Sequence, residues 1–151
     1  MIQYTPCPSP FGNLFIGWEG DVVISLSPGQ PDHPSVTAPV AELAAAQLQE
    51  YFVGTRKTFT FPMELRGTPF QISVWTALAK IPYGHTASYL DIARAIGNEK
   101  AVRAVGMACS RNPIWIAVPC HRVIGTNRKL TGYAGGLSMK DALLKLESQQ
   151  I

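Results

Sequence analysis

Ile116-Ala117-Val118-Pro119-Cys120-His121-Arg122-Val123-Ile124 is the stretch around which this chain is organised. Small and β-branched residues lead into a proline, and a run this short reads as a buried strand over Ile116 to Val118 rather than as a helix. Pro119 has no N–H to give to a sheet ladder, so the strand ends there. A thiol follows at once. Cys120 is therefore expected at the rim of a core, where a pocket can form, with His121 and Arg122 beside it.

The thiolate, not the thiol, is the nucleophile, and an unperturbed thiol is mostly protonated at neutral pH. A reactive cysteine needs a base, and His121 is the nearest one. Neighbouring side chains on an extended chain point to opposite faces, so His121 reaches Cys120 only through a bend after Pro119 or a bridging water. The plainer alternative is an inert buried cysteine, the common state of that residue.

Upstream, two short strands flank Glu19-Gly20-Asp21, with an earlier turn at Pro10 to Asn13. Residues 27–37 are a loop rich in Ser, Pro and Gly. A helix is expected from Pro39 to Val53, with Val40, Leu43, Ala44, Leu48, Tyr51 and Phe52 at helical spacing and Gly54 as its stop. Phe59-Thr60-Phe61 reads as one more strand. This gives a small α/β unit, an antiparallel sheet with one helix, over residues 1–67.

Residues 68–151 read differently. Thr68-Pro69-Phe70-Gln71 is a capping box with proline at the first helical position, opening a helix to about Lys80. Ser88 caps the next helix, which stops at Gly97, and a further helix is expected from Lys100 to Ser110. Two short helices about a glycine turn form a helix-turn-helix pattern. The second helix offers little for reading base edges. Val102, Val105 and Cys109 fall at core spacing, Ala101, Ala104 and Ala108 leave the other face bare, and Arg103 is its long polar probe. Such a surface suits the minor groove, roughly 6 Å wide, and sequence-tolerant binding. Past the signature, Gly125 to Lys129 is a polar, basic loop, and Ser138 is expected to cap a last helix with Leu143, Leu144 and Leu146 inside. The fold class is thus an α/β N-terminal unit followed by a mostly α, winged helix-turn-helix-like domain.

The 151 residues suffice for one or two small domains with a core. No apolar run reaches membrane-spanning length, and Met1 to Thr5 lacks a signal peptide's basic start, so a cytoplasmic location is expected. Three cysteines (Cys7, Cys109, Cys120) argue against a disulfide framework. Neither they nor His33, His85 and His121 have metal-site spacing, so no metal is expected. The net charge of +3 is unevenly placed: residues 1–67 carry three basic and six acidic side chains, residues 68–151 ten and four. The C-terminal part is the one suited to a polyanion.

Pro119-Cys120-His121-Arg122-Val123 resembles the active-site signature of the O6-alkylguanine-DNA alkyltransferases, also called methylated-DNA–protein-cysteine methyltransferases. The resemblance runs from Gly67 to Glu147 and includes Gly67-Thr68-Pro69-Phe70-Gln71, Ser88-Tyr89, Arg103-Ala104-Val105-Gly106, Asn112-Pro113 and Tyr133-Ala134-Gly135-Gly136-Leu137. It implies a DNA repair protein that moves the alkyl group of O6-alkylguanine, with O4-alkylthymine as a second candidate, irreversibly onto Cys120 in one turnover. His121 would take the cysteine proton through a water, Glu147 would stabilise the imidazolium, and Asn112 would tie the helix-turn-helix to the active-site turn. Tyr89 would help rotate the nucleotide and Arg103 would fill the gap it leaves, since an enzyme acting on a base takes it out of the stack. Val123, Tyr133, Ala134 and Trp115 would line the base pocket. The resemblance implies double-stranded DNA as partner, no cofactor, no membrane and a monomer. Lys140 matches a family lysine near the pocket. Two departures stand out: Ala134 occupies a position where serine is frequent, and Trp115 one where proline or a smaller residue is frequent. Family members that bind zinc do so through N-terminal cysteines and histidines, and Cys7 with His33 does not make that site. Two rivals are a non-catalytic alkyltransferase-like damage-binding protein, against which Cys120 argues, and a cysteine hydrolase, which would turn over and have no use for the helix-turn-helix.

Overall fold

The structure is a computed structural model that describes residues 1–32, 34–125, 133 and 135–149. Two compact units divide the chain. One comprises Met1–Arg66 with Pro113–Trp115, the other Gly67–Asn112 and the described residues from Ile116 onward.

In the first unit, β1 (Gln3–Ser9), β2 (Gly12–Glu19) and β3 (Val22–Ser27) form an antiparallel sheet in the order β1-β2-β3. The turn between β2 and β3 is two residues long, Glu19 pairing with Val22, and Gly20 supplies the positive φ of 59° such a turn needs. Alternation places Leu14 and Ile16 of β2 inside. Helix α1 (Pro39–Phe52) buries Val40, Ala41, Ala44, Gln47, Leu48 and Tyr51. Leu43, expected inside, is 43% exposed, and Ala41 takes its place because the apolar stripe is rotated one position.

Phe59 to Phe61 is not a strand. The buried Gln47 side chain captures this segment instead, accepting from the Thr60 backbone N–H at 2.9 Å and donating to its hydroxyl at 2.7 Å. A backbone donor satisfied by a side chain has no ladder partner left to seek. Ile114 also joins this unit, forming a parallel bridge with Leu26.

In the second unit, α2 (Pro69–Leu78) opens on the expected capping box between Thr68 and Gln71. A side chain at Gly67 would put its Cβ 2.6 Å from the Trp75 ring, so that position admits only glycine without a shift. Trp75 is buried and its indole N–H donates to the Ala108 carbonyl at 2.9 Å. Strand β4 (Ala87–Ser88) leads into α3 (Tyr89–Ala95), where Ser88 and Asp91 form a second capping box. Gly97, at φ 77°, ends that helix, and α4 (Val102–Ser110) follows, starting two residues later than its sequence suggests.

Helix α4 buries Val105 and Ala108, whereas Val102 is 37% exposed. The expected core face holds at Val105 and is corrected at Val102, while Ala108, placed on the bare face by spacing, packs inside, its carbonyl meeting Trp75. A 3-10 turn over Cys120–Arg122 runs into β5 (Val123–Ile124), which pairs in parallel with β4. The last helix, α5, spans Leu137–Gln149. Ser138 lies within it rather than at its cap. Met139, Lys140, Leu143 and Glu147 are its buried residues, and Leu144 and Leu146 are half-buried. The basic loop expected up to Lys129 lies, from Thr126 on, outside the described residues, as do His33 and Ala134. Among the described residues no helix is long and apolar enough to cross a membrane.

Candidate active site

The strand expected over Ile116 to Val118 is a turn. Ile116 has φ 71°, a left-handed conformation rare for a β-branched residue and costing on the order of 1–3 kcal/mol. β-branched residues suggested a strand, but among the described residues no strand partner is bonded here, and the chain bends instead. Behind Pro119 the bend tightens into the 3-10 turn, with the Cys120 N–H donating to the Val118 carbonyl at 2.8 Å and the Arg122 N–H to the Pro119 carbonyl at 3.0 Å. This bend removes the strict alternation that would set Cys120 and His121 on opposite faces.

Asn112 closes the loop that contains the turn. It is 4% exposed, and its side-chain amide donates to the Val118 carbonyl at 2.7 Å and to Cys120 Sγ at 3.1 Å. Its backbone N–H donates to the Cys109 carbonyl at the end of α4 at 3.2 Å. One asparagine thus couples the helix-turn-helix to the thiol. Cys120 itself is 7% exposed. Burial pushes its thiol up, opposed by the Asn112 hydrogen bond and the positive charge of Lys140. Lys140 is fully buried, donates to the Val123 carbonyl, and is pushed down by burial. The Cys109 thiol is driven up to about 12, by burial first and then by the charge of Cys120.

His121 is fully buried and its Nε2 lies 2.7 Å from Glu147 Oε2. Glu147 is equally buried, although a glutamate near a chain end is more often in water. Burial alone would raise its carboxyl, but hydrogen bonds and charge from His121 and Arg122 outweigh that and hold it at about 2. An ionised carboxylate can only accept, so His121 Nε2 carries the proton and Nδ1 holds the lone pair. That Nδ1 is buried with no protein partner among the described residues. Burial pushes the imidazole down, against the pull of Glu147, so the ring favours its neutral form. The arrangement can therefore accept a proton at one defined atom.

The other expected residues fall in two groups. Val123 is fully buried in β5, and Tyr133 is half-buried, its hydroxyl raised by burial first and then by the charge of Cys120. Tyr89 begins α3, its ring 4.0 Å from where a Cβ on Gly106 of α4 would stand. Arg103 is exposed on α4, beside a mostly apolar cleft that also involves Phe70, Met107 and Arg111. Trp115 belongs to the first unit, where its backbone N–H donates to the Leu26 carbonyl at 2.9 Å. Trp115 itself begins the turn that runs through Ala117.

Two residues gain importance over their sequence reading. Arg122 is 6% exposed and bonded to Glu147, and Met107, 60% exposed, interrupts the bare face of α4. The first stood in the signature, but no spacing in the sequence tied it to Glu147. Nothing in the spacing of α4 singled out Met107.

The family model "6-O-methylguanine DNA methyltransferase, DNA binding domain" matches residues 69–149. The constitutive methylated-DNA–protein-cysteine methyltransferase of Bacillus subtilis is 49% identical, the alignment covering 97% of this chain and 96% of that one. A crystal structure of the Mycobacterium tuberculosis O6-methylguanine methyltransferase superposes with a TM-score of 0.90 at 45% identity, covering 100% of this chain and 95% of the other. The Mycobacterium tuberculosis OGT in complex with DNA gives 0.91 at 45% identity, covering 98% and 94%.

Proposed function

The chain belongs to the 6-O-methylguanine DNA methyltransferase family, and from that premise we infer that it takes the alkyl group, methyl above all, from O6 of guanine in DNA and keeps it on Cys120. The observation that carries the assignment of Cys120 is its position: a thiol held by Asn112 in the same tight turn as a buried histidine whose partner fixes its tautomer.

The steps follow from the atoms in place. The Cys120 proton passes through a water to His121 Nδ1, and Glu147, accepting from Nε2–H, stabilises the imidazolium that results. The thiolate attacks the alkyl carbon in line. The S–C bond forms, the C–O bond breaks, and its electron pair leaves on guanine, which is protonated or departs as the anion. A thioether is a very poor leaving group, so each molecule acts once. DNA is the alkyl donor and the protein the acceptor, and the reaction calls on no cofactor. We place the protein in the cytoplasm as a monomer.

The damaged base must leave the stack to meet a buried thiol. In this reading α4 lies in the minor groove, Arg103 fills the gap, Tyr89 helps rotate the nucleotide, and Val123 and Tyr133 line the base pocket. Binding should weaken with salt, since phosphate contacts release counterions. Arg103→Ala is expected to slow repair of O6-methylguanine in duplex DNA by roughly 10- to 100-fold, the equivalent of part of an unstacking cost of a few kcal/mol. Its reaction with free O6-benzylguanine should remain near wild type. Equal loss on both substrates would place Arg103 in the fold or in thiolate activation instead.

Trp115 as a wall of the alkyl pocket rests on the resemblance. Substitution by proline would remove its hydrogen bond to Leu26, so alanine is the cleaner probe. Trp115→Ala should raise the benzyl rate relative to the methyl rate if the indole narrows the pocket. An unchanged ratio in a protein of normal melting temperature would rule that role out.

A further inference from the structure

Arg122 is held from three sides. Its Nη1 donates to the Ile81 carbonyl, in the turn after α2, at 2.7 Å. Its guanidinium lies 5.7 Å from the centroid of the Tyr83 ring in the same turn. Its Nε and Nη2 donate to Glu147 Oε1 and Oε2 at 2.8 and 3.0 Å, the two-pronged geometry in which arginine best fixes a carboxylate. Oε2 is also the oxygen that receives His121 Nε2. The Gly84 N–H reaches Oε1 at 3.4 Å. Burying a guanidinium is costly, and one that is this fully bonded fixes the group it holds.

Two consequences follow for the imidazole. The carboxylate cannot rotate away from Nε2 without breaking the fork. Its charge is also already shared. A carboxylate alone beside a buried histidine draws a second proton onto the ring, and a guanidinium on the same carboxylate opposes that pull. We propose that Arg122 is a positioning residue for alkyl transfer, clamping Glu147 in the orientation that receives His121 Nε2–H and offsetting its charge, so that the imidazole rests neutral with Nδ1 open to the Cys120 proton. The proposal rests on the reading of His121 as the base.

The charged and titratable groups around His121 are consistent with it. Glu147 and Lys140 act on it from α5 and Arg122 from its own turn, in which Cys120 also lies, and Tyr83 stands beside Arg122 and Glu147. Helix α2, PFQISVWTAL, packs against the 3-10 turn and brings no titratable side chain. Among the described residues two cations thus oppose one carboxylate at a buried ring, and the net direction is toward the neutral form.

The test uses the whole protein with free O6-benzylguanine, which bypasses DNA binding. The His121 ring is titrated by NMR, and the transfer rate is measured across the same pH range, for wild type, Arg122→Met and Arg122→Lys. In wild type the ring should titrate below its ordinary 6.5, and the rate should fall with acid at the same point. Arg122→Met should move both upward by at least about one pH unit, a tenfold change in proton affinity. Arg122→Lys keeps the charge and loses the fork, so its titration should stay near wild type while the rate drops at every pH. An unmoved titration in Arg122→Met, with a uniform loss of rate, would overturn the proposal and leave Arg122 a structural bolt. Should Arg122→Met not fold, Arg122→Lys decides: slower transfer at an unmoved titration supports the clamp, and a wild-type rate overturns it. A wild-type rate profile that ignores the His121 titration would overturn the base reading itself, a failure visible without either variant.

Discussion

Cys120→Ser is expected to fold, to bind DNA with near wild-type affinity and to accept no methyl group. The substitution changes one atom in a buried turn, and Asn112, which donates to Sγ at 3.1 Å, can donate to a hydroxyl in its place. A hydroxyl is a far weaker nucleophile at neutral pH, because so little of it ionises. Cys7 and Cys109 remain in this protein, and burial raises both thiols as it does that of Cys120; what sets Cys120 apart is its place in the turn that carries His121. A melting curve, a binding titration with O6-methylguanine duplex and intact-protein mass after incubation with it check the three expectations in turn. Methyl uptake by a folded Cys120→Ser protein would move the acceptor elsewhere.

Glu147→Ala should be the most damaging change to stability and should also cripple transfer. It removes the partner of two buried groups at once, leaving Arg122 without either prong of its fork and His121 Nε2–H without an acceptor. Breaking a buried ion pair from one side costs about 3–5 kcal/mol. For a chain of this size that lowers the melting temperature by roughly 10 °C. Glu147→Gln keeps the shape and an acceptor, and should lose less. At a temperature where both remain folded, transfer to free O6-benzylguanine should drop by roughly 10²-fold or more, the usual span of general acid–base assistance.

The pH dependence has a definite sign. The Glu147 carboxyl is held below its ordinary 4.5 at about 2, so the stability it supplies is complete above 4.5 and is lost as pH falls through 2. His121 is likewise depressed, so its share is complete above 6.5 and declines as the pH falls below that value. Melting curves should show the wild type losing stability with acid first through His121 and then through Glu147, and the gap to Glu147→Gln closing as the pH approaches 2. A gap that stays constant down to pH 2 would contradict the ionised state of Glu147.

Much of this was legible in residue types with strong local meaning. Thr68 with Gln71 and Ser88 with Asp91 form their capping boxes because each motif is complete within four residues. Gly54, Gly97 and Pro39 mark helix ends for equally local reasons. The failures occur where distant partners decide. Ile116 to Val118 has strand composition but lies in a turn, with Ile116 strained. Phe59 to Phe61 has strand composition too, and is captured by Gln47, thirteen positions before Thr60. Ala108 is buried because Trp75 reaches its carbonyl. At the site, the signature pointed to Cys120 and His121, and resemblance supplied Glu147 and Asn112. That Arg122 shares Glu147 with His121 depends on bringing α5 against the 3-10 turn, which no spacing in the sequence expresses.

The central claim is that one chain accepts one alkyl group and is then spent. Its most direct test is intact-protein mass, followed by peptide mapping, after wild-type protein meets a several-fold excess of duplex DNA containing O6-methylguanine. The account predicts the added mass of a single methyl group, carried on Cys120, and one guanine restored per protein molecule. Continued repair beyond one equivalent, or a methyl group mapped to Cys7 or Cys109, would contradict it.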